Sequence, residues 1–115
     1  WEVVQGIPIC FDAKECHKDS FPLQNLHAHQ MDFMKRFMLQ GGISFIILSF
    51  SQRGEKYYVP YRELEYFYQR MEEGGKKSFR YDELQSSFPI QRKRDLLVPF
   101  LEALNRDILY LNASS

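Results

Sequence analysis

The stretch Ile7-Pro8-Ile9-Cys10-Phe11-Asp12-Ala13-Lys14-Glu15 decides how the rest of this sequence is read. Its apolar residues Ile7, Ile9, Phe11 and Ala13 alternate with Pro8, Cys10, Asp12 and Lys14, the period-two pattern of a strand. Asp12 and Lys14 therefore share one face, and the opposite, apolar face is expected to pack on a helix. A carboxylate and an ammonium on one side of a mostly buried strand are either a structural ion pair or part of a site. The residues alone leave both readings open.

Working outward, Trp1–Val4 reads as a first strand, and Gln5-Gly6 as the turn that makes a hairpin with Ile7–Ala13. Trp1 opens on strand-like sequence without an initiator methionine, which points to a chain truncated at its N-terminus. His17–Pro22 reads as a loop. Asn25 is a suitable N-cap for a helix from Leu26 to about Gln40, with Leu26, Phe33, Met34, Phe37 and Met38 as its apolar stripe and Gly41-Gly42 as its stop. Gln30 falls inside that stripe, and a glutamine on a core-facing side calls for a reason. Ile43–Phe50 is an almost continuous apolar run, as expected of a strand buried on both faces. A turn at residues 52–55 leads to a hairpin partner at Lys56–Val59. Tyr61–Glu73 reads as a second helix ended by Gly74-Gly75. A basic segment, Lys76-Lys77-Ser78-Phe79-Arg80, precedes a helical turn at Tyr81–Gln85. A second basic cluster, Gln91–Arg94, precedes a terminal helix over Leu96–Asn105, and Ala113–Ser115 is expected to fray. The order of strand, helix, strand, strand, helix around one core gives an α/β fold, a central mixed sheet flanked by helices, in a single domain over residues 1–115.

Composition narrows the function classes. The chain has 115 residues, is 44% hydrophobic and 16% aromatic, and carries no formal net charge. It is too apolar for disorder and is not a basic nucleic-acid binder as a whole, although local basic patches remain open. Its most apolar run is far too short to cross a bilayer. Cys10 and Cys16 would lie on one strand face roughly 20 Å apart, too far for a disulfide. Free thiols without a signal peptide point to a reducing, cytoplasmic setting.

Three residue sets could carry chemistry. Asp12-Ala13-Lys14 fits the pattern acid-x-lysine, whose use is phosphodiester hydrolysis: the carboxylate and the Ala13 carbonyl hold Mg²⁺, and the lysine positions water and offsets phosphate charge. As a tripeptide it is weak evidence, because 15 acidic residues and seven lysines give about one such match by chance. Cys10, Cys16, His17, His27 and His29 raise a zinc reading, but their spacing does not fit paired-ligand patterns, and His27 and His29, two apart on a helix, should not share a face. The basic residues Lys76, Lys77 and Arg80, and the cluster Arg92-Lys93-Arg94, are either solvated surface or phosphate contacts. Tyr57, Tyr58, Tyr61, Tyr66 and Tyr68 are expected to divide between core and dimer surface rather than to stack on bases.

Longer words then add to the tripeptide. Phe11-Asp12-Ala13-Lys14-Glu15, Ser20-Phe21-Pro22-Leu23-Gln24-Asn25-Leu26-His27-Ala28-His29-Gln30, Gly41-Gly42-Ile43-Ser44-Phe45 and Gly75-Lys76-Lys77-Ser78 occur in register with a known family. Over roughly Gln5 to Leu84 the sequence resembles the RecU-type Holliday-junction resolvases, also called penicillin-binding-protein-related factor A, of the PD-(D/E)xK nuclease superfamily. The resemblance implies a restriction-endonuclease-like fold and a homodimer that cleaves four-way DNA junctions with Mg²⁺, or Mn²⁺ in its place, leaving 5′-phosphate ends. By the same resemblance Asp12 matches a metal-binding acid, Lys14 the catalytic lysine and Gln30 a glutamine near the active site. The family pattern departs from this sequence at three places. It has a further metal-binding aspartate about 13 residues before Asp12, ahead of Trp1, and Glu2, the nearest acid, does not align with it. It has an N-terminal arm and a projecting stalk that are not identified here. It often has threonine where Cys16 stands. The expected function is a metal-dependent, structure-selective endonuclease of branched DNA. The rival is a DNA-binding core of the same fold that lacks part of the catalytic set.

Overall fold

The computed structural model describes residues 2–4 and 6–90. Nine segments of regular structure lie within them: β1 (Glu2–Val4), β2 (Ile7–Cys16), β3 (Ser20–Pro22), α1 (Ala28–Leu39), β4 (Ile43–Phe50), β5 (Glu55–Pro60), α2 (Tyr61–Glu72), β6 (Ser78–Arg80) and β7 (Phe88–Ile90). Two short 3₁₀ turns, Leu23–Asn25 and Tyr81–Glu83, connect them. The terminal basic cluster and the terminal helix expected from the sequence lie outside the described residues.

The main sheet has the order β1-β2-β4-β5-β7. It is mixed: β2 and β4 run parallel, while β1, β5 and β7 pair antiparallel with their neighbours. The N-terminal hairpin is present, with Val4 opposite Ile7 and Gly6 at φ 80°, a conformation open to glycine. β4 is central, and its burial on both faces accounts for its almost unbroken apolar run. The one buried hydroxyl in that run is satisfied, since Ser44 Oγ donates to the Met34 carbonyl oxygen at 3.0 Å.

Both helices pack on the same face of the sheet. Ile46, Leu48 and Phe50 of β4 and Val59 of β5 meet Met31 and Met34 of α1 and Leu64 and Phe67 of α2. The expectation for β2 is corrected here. Its Ile9-Phe11-Ala13 face does not pack on a helix; Phe11 stacks on Phe45 at 5.3 Å and remains 43% exposed, and Ala13 is exposed as well. The helices cover the opposite face, where Asp12, Lys14 and Cys16 align with Ile46, Leu48 and Phe50. β4 supplies the apolar row beneath the helices, and β2 extends it only at the buried Cys16. Asp12 and Lys14 therefore border the core on its helix side.

α1 also starts later than expected, at Ala28 with His27 as its N-cap. Leu26 is buried ahead of the helix, and the core stripe of α1 is Met31, Met34 and Met38. Phe33 and Phe37 belong to the neighbouring stripe with Gln30, at spacings of three and seven residues. The loop expected at His17–Pro22 contains β3, which pairs with β6 in a separate two-stranded ribbon. That pairing buries Phe21 and Phe79, whose ring centroids lie 5.4 Å apart, and draws the polar segment into extended structure. The Leu23 N–H donates to the Lys77 carbonyl oxygen at 2.9 Å, so the ribbon also anchors the approach to α1.

Each helix ends as its Gly-Gly pair implies. Gly74 takes φ 91°, its N–H donates to the Met71 carbonyl oxygen at 3.0 Å, and the Gly75 N–H donates to that of Arg70 at 2.8 Å. This is the paired-bond cap of a helix C-terminus, and Gly41-Gly42 repeats it after α1. A Cβ on Gly75 would stand 2.7 Å from the Arg70 carbonyl oxygen. Gly75→Ala is therefore expected to lower unfolding free energy by about 2 kcal/mol, the scale of a forced backbone shift. Urea denaturation should show a lower midpoint with the slope unchanged.

Candidate active site

Asp12 is the point on which the site converges. It lies on β2, in the parallel pair with β4, where it stands opposite Ile46. Its Oδ1 accepts the Ala13 N–H at 2.9 Å. Its Oδ2 accepts Gln30 Nε2 at 2.8 Å and lies 3.3 Å from Lys14 Nζ. Gln30 stands in the first turn of α1, three residues after the N-cap. A glutamine at that position commonly reaches back to cap its own helix. Here it reaches across to the strand instead, and His27 gives α1 no side-chain cap. The polar residue that looked misplaced in the α1 sequence is thus explained by its partner on β2.

The Asp12–Lys14 pair is partly open to solvent. The side chain of Asp12 keeps 47% of its surface exposed and that of Lys14 22%. A pair so open to solvent contributes at most about 1 kcal/mol to stability. Burial pushes the Asp12 carboxyl upward, but the Gln30 hydrogen bond, the hydrogen bond and charge of Lys14, and the Ala13 N–H together hold it below its ordinary value. Asp12 is therefore an anion across the neutral range. Three donors occupy its oxygens, and a carboxylate has about four acceptor positions, so one remains for a further ligand.

A hard divalent cation suits this oxygen donor, with the Ala13 carbonyl as a second candidate. Among the described residues no group of three or more His, Cys, Asp or Glu side chains could hold a metal ion. The two cysteines differ in surroundings. Burial pushes the Cys10 thiol up, and Cys16 Sγ donates to the carbonyl oxygens of Lys18 and Ser20 at 3.1 and 2.9 Å. The histidines differ from expectation. His27 lies just outside the helix in extended conformation, so its ring stacks on that of His29, with centroids 5.5 Å apart and planes 5° from parallel.

An open groove adjoins the carboxylate. Lys14, Gln30, His27 and His29 line it together with Phe33, Arg36 and Phe37. Sequence reasoning missed the last three because Phe33 and Phe37 were assigned to the core. Their shared stripe with Gln30 was the available signal. Lys76, Lys77 and Arg80 are exposed and do not line this groove. Arg80 pairs with Asp82 at 3.3 Å. Among the tyrosines singled out above, Tyr58 and Tyr61 are buried and Tyr66 is exposed.

Comparison with known proteins gives a consistent result. Residues 2–106 match the family described as RecU: Recombination protein U. A Holliday junction resolvase RecU from Listeria welshimeri is 44% identical over 84 residues, 72% of this chain and 42% of that protein. Another of that name from Levilactobacillus brevis is 40% identical over 106 residues, 90% of this chain and 53% of that protein. One from Staphylococcus aureus is 38% identical over 109 residues, 93% of this chain and 52% of that protein. The chain thus spans about half the length of the curated relatives it matches.

The hydrogen bond from Gln30 has a measurable effect on Asp12. The Asp12 carboxyl is held below its ordinary value in the folded chain. Its contribution to stability is therefore complete above the unfolded value and is lost as pH falls through the lower folded one. Gln30→Leu removes one of the donors that hold the carboxyl down. Carbon-13 NMR titration of Asp12 should show its pKa rising in this variant, and the acid-side loss of stability that Asp12 causes should shrink.

Proposed function

This chain belongs to the Recombination protein U family, and we propose that it forms the core of a metal-dependent, structure-selective endonuclease that hydrolyses phosphodiester bonds in branched DNA. The observation that carries this reading is the convergence of Gln30, Lys14 and the Ala13 N–H on the single carboxylate of Asp12. A helix side chain that forgoes capping to orient a half-exposed carboxylate is explained by chemistry better than by stability. Relatives that span most of this chain bear the name Holliday junction resolvase, which supports four-way DNA as the substrate.

In this reading Asp12 and the Ala13 carbonyl would hold Mg²⁺ or Mn²⁺, which would supply Lewis-acid polarisation of a phosphate oxygen. Lys14 orients the attacking water through Nζ and offsets charge on the phosphate. Gln30 fixes the rotamer of Asp12 so that its remaining lone pair faces outward. The register of β1 on β2 supports a second carboxylate. Glu2 faces Ile9, and the pairing shifts one residue on each strand per step. Were that register to continue, the position facing Asp12 would fall three residues before Glu2, which is also about 13 residues before Asp12. An aspartate there, as the family pattern implies, would share Asp12's face at the ~5 Å of a cross-strand pair. Two acids that close repel each other and are reconciled by a shared cation.

Lys76 and Lys77, exposed beside the ribbon, are read as contacts to DNA phosphates, with Arg80 alongside, and two copies of the chain are read as acting together on a four-way substrate. Free thiols at Cys10 and Cys16 suit a cytoplasmic setting. A binding core without catalysis is the second reading; it is favoured because no group of three or more His, Cys, Asp or Glu side chains among the described residues could hold a metal ion.

The test uses this chain and its Asp12→Asn variant with Mg²⁺, Mn²⁺ or EDTA, on a four-way junction and on linear duplex of equal length. Junction cleavage that needs metal and falls at least about 10²-fold in the variant is expected. Junction binding without cleavage by either protein would instead favour the binding-core reading. Lys76→Ala with Lys77→Ala should weaken junction binding and flatten its salt dependence by about one logarithmic slope unit for each phosphate that is no longer neutralised.

A further inference from the structure

The groove beside Asp12 has a chemistry that phosphodiester hydrolysis does not require. Its volume is about 600 Å³, within the roughly 300–1,000 Å³ of sites that take one compact ligand group. Phe33, a large aromatic side chain, keeps 53% of its surface exposed there. Its ring centroid lies 6.1 Å from that of Phe37, and the stacked rings of His27 and His29 line the same groove. We propose that this groove binds an unpaired nucleotide of the DNA strand that is cut, with its base stacked on Phe33.

Two observations favour that occupant over paired DNA. First, the cations lining the groove are each matched by an acid, Lys14 by Asp12 and Arg36 by Asp32, so net charge does not draw duplex backbone into it. Its attractive surface is ring faces and amides, and base faces are available to such a surface only where they have left the duplex stack. Second, Lys14 and Gln30 belong both to the groove and to the Asp12 cluster. A nucleotide seated against Phe33 therefore has its backbone next to the carboxylate. A branch point provides such nucleotides, because pairing is interrupted where strands exchange. The choice of the cut strand rests on the nuclease reading above; the groove's affinity for unpaired nucleotides does not.

The experiment measures fluorescence anisotropy of a short labelled oligothymidylate and of a labelled hairpin duplex with the whole chain, its Phe33→Ala variant and its Phe33→Trp variant. Metal-dependent junction cleavage is followed in parallel. Phe33→Ala is expected to weaken oligothymidylate binding about tenfold, the effect of removing one base stack, while duplex binding stays the same. Phe33→Trp should retain the affinity. The tenfold ratio should persist as salt is raised, because stacking releases no counterions. The proposal is overturned if Phe33→Ala binds oligothymidylate as tightly as the parent, or if it loses duplex binding equally. Phe33→Ala that turns a dimer into a monomer on size-exclusion chromatography, with oligothymidylate affinity retained, also overturns it and makes the groove an interface between copies. Junction cleavage by a parent chain that does not bind oligothymidylate sinks this proposal alone. Phe33-dependent binding without any cleavage supports the groove and sinks the nuclease reading.

Discussion

The parallel pairing of β2 with β4 is the constraint on which the rest of this structure depends. Parallel neighbours cannot be joined by a tight turn, so the chain must leave the end of β2, cross the sheet and return to the start of β4. That crossover contains β3, the Leu23–Asn25 turn and α1. Because both ends of the crossover are fixed by one ladder, the place where α1 begins is fixed too. The ribbon of β3 with β6 and the Leu23–Lys77 hydrogen bond hold the approach from the other side. Gln30 therefore arrives over Asp12 as a result of topology, and the 2.8 Å bond between them joins the two ends of one strand-helix unit.

The surroundings of Asp12 show how a strand can carry charge at the border of a core. The apolar row under the helices is supplied by β4 and β5, so β2 need not contribute beyond Cys16. Asp12 and Lys14 occupy positions that remain half open, where a charged pair neither gains nor loses much. Asp12 is held by donors from its own backbone neighbour Ala13, from Lys14 and from Gln30 on α1. Those donors stabilise the anion against the penalty of partial burial. The carboxylate is thereby kept charged and fixed in orientation.

Much of the sheet was legible in the sequence, because alternation in β2, the apolar run of β4 and the glycine pairs after both helices are local signals. The N-terminal hairpin, both helices and the β4–β5 hairpin followed from them. The face of β2 was misread for a reason that no local pattern contains: which side a helix covers is decided by the neighbouring strand. Phe11 is apolar yet lies on the side away from both helices, over Phe45. The same limit applied to α1. Leu26, Met34 and Met38 do join the core, but Phe33 and Phe37 line the groove instead, and Met31 completes the stripe where α1 meets β4. β3 was read as loop because Ser20 and Pro22 are weak strand formers, and only pairing with β6, some sixty residues away, makes them extended. The candidate site was legible in Asp12, Lys14 and Gln30, the last through being polar in an apolar row. The stacked histidines were not, since their contact depends on where the helix starts.

The β2–β4 ladder has a consequence for how the molecule forms. Ile9 pairs with Ile43 and Cys16 with Phe50, so every rung joins residues 34 apart. The β4–β5 hairpin closes over a turn of four residues, from Phe50 to Glu55. Loop-closure entropy makes the hairpin the cheaper event, and contacts between distant residues slow a folding reaction. Gln30 and Asp12, 18 residues apart, stand between these two extremes. The contact that brings the helix donor to the carboxylate thus closes a longer loop than the hairpin beside it and a shorter one than the ladder.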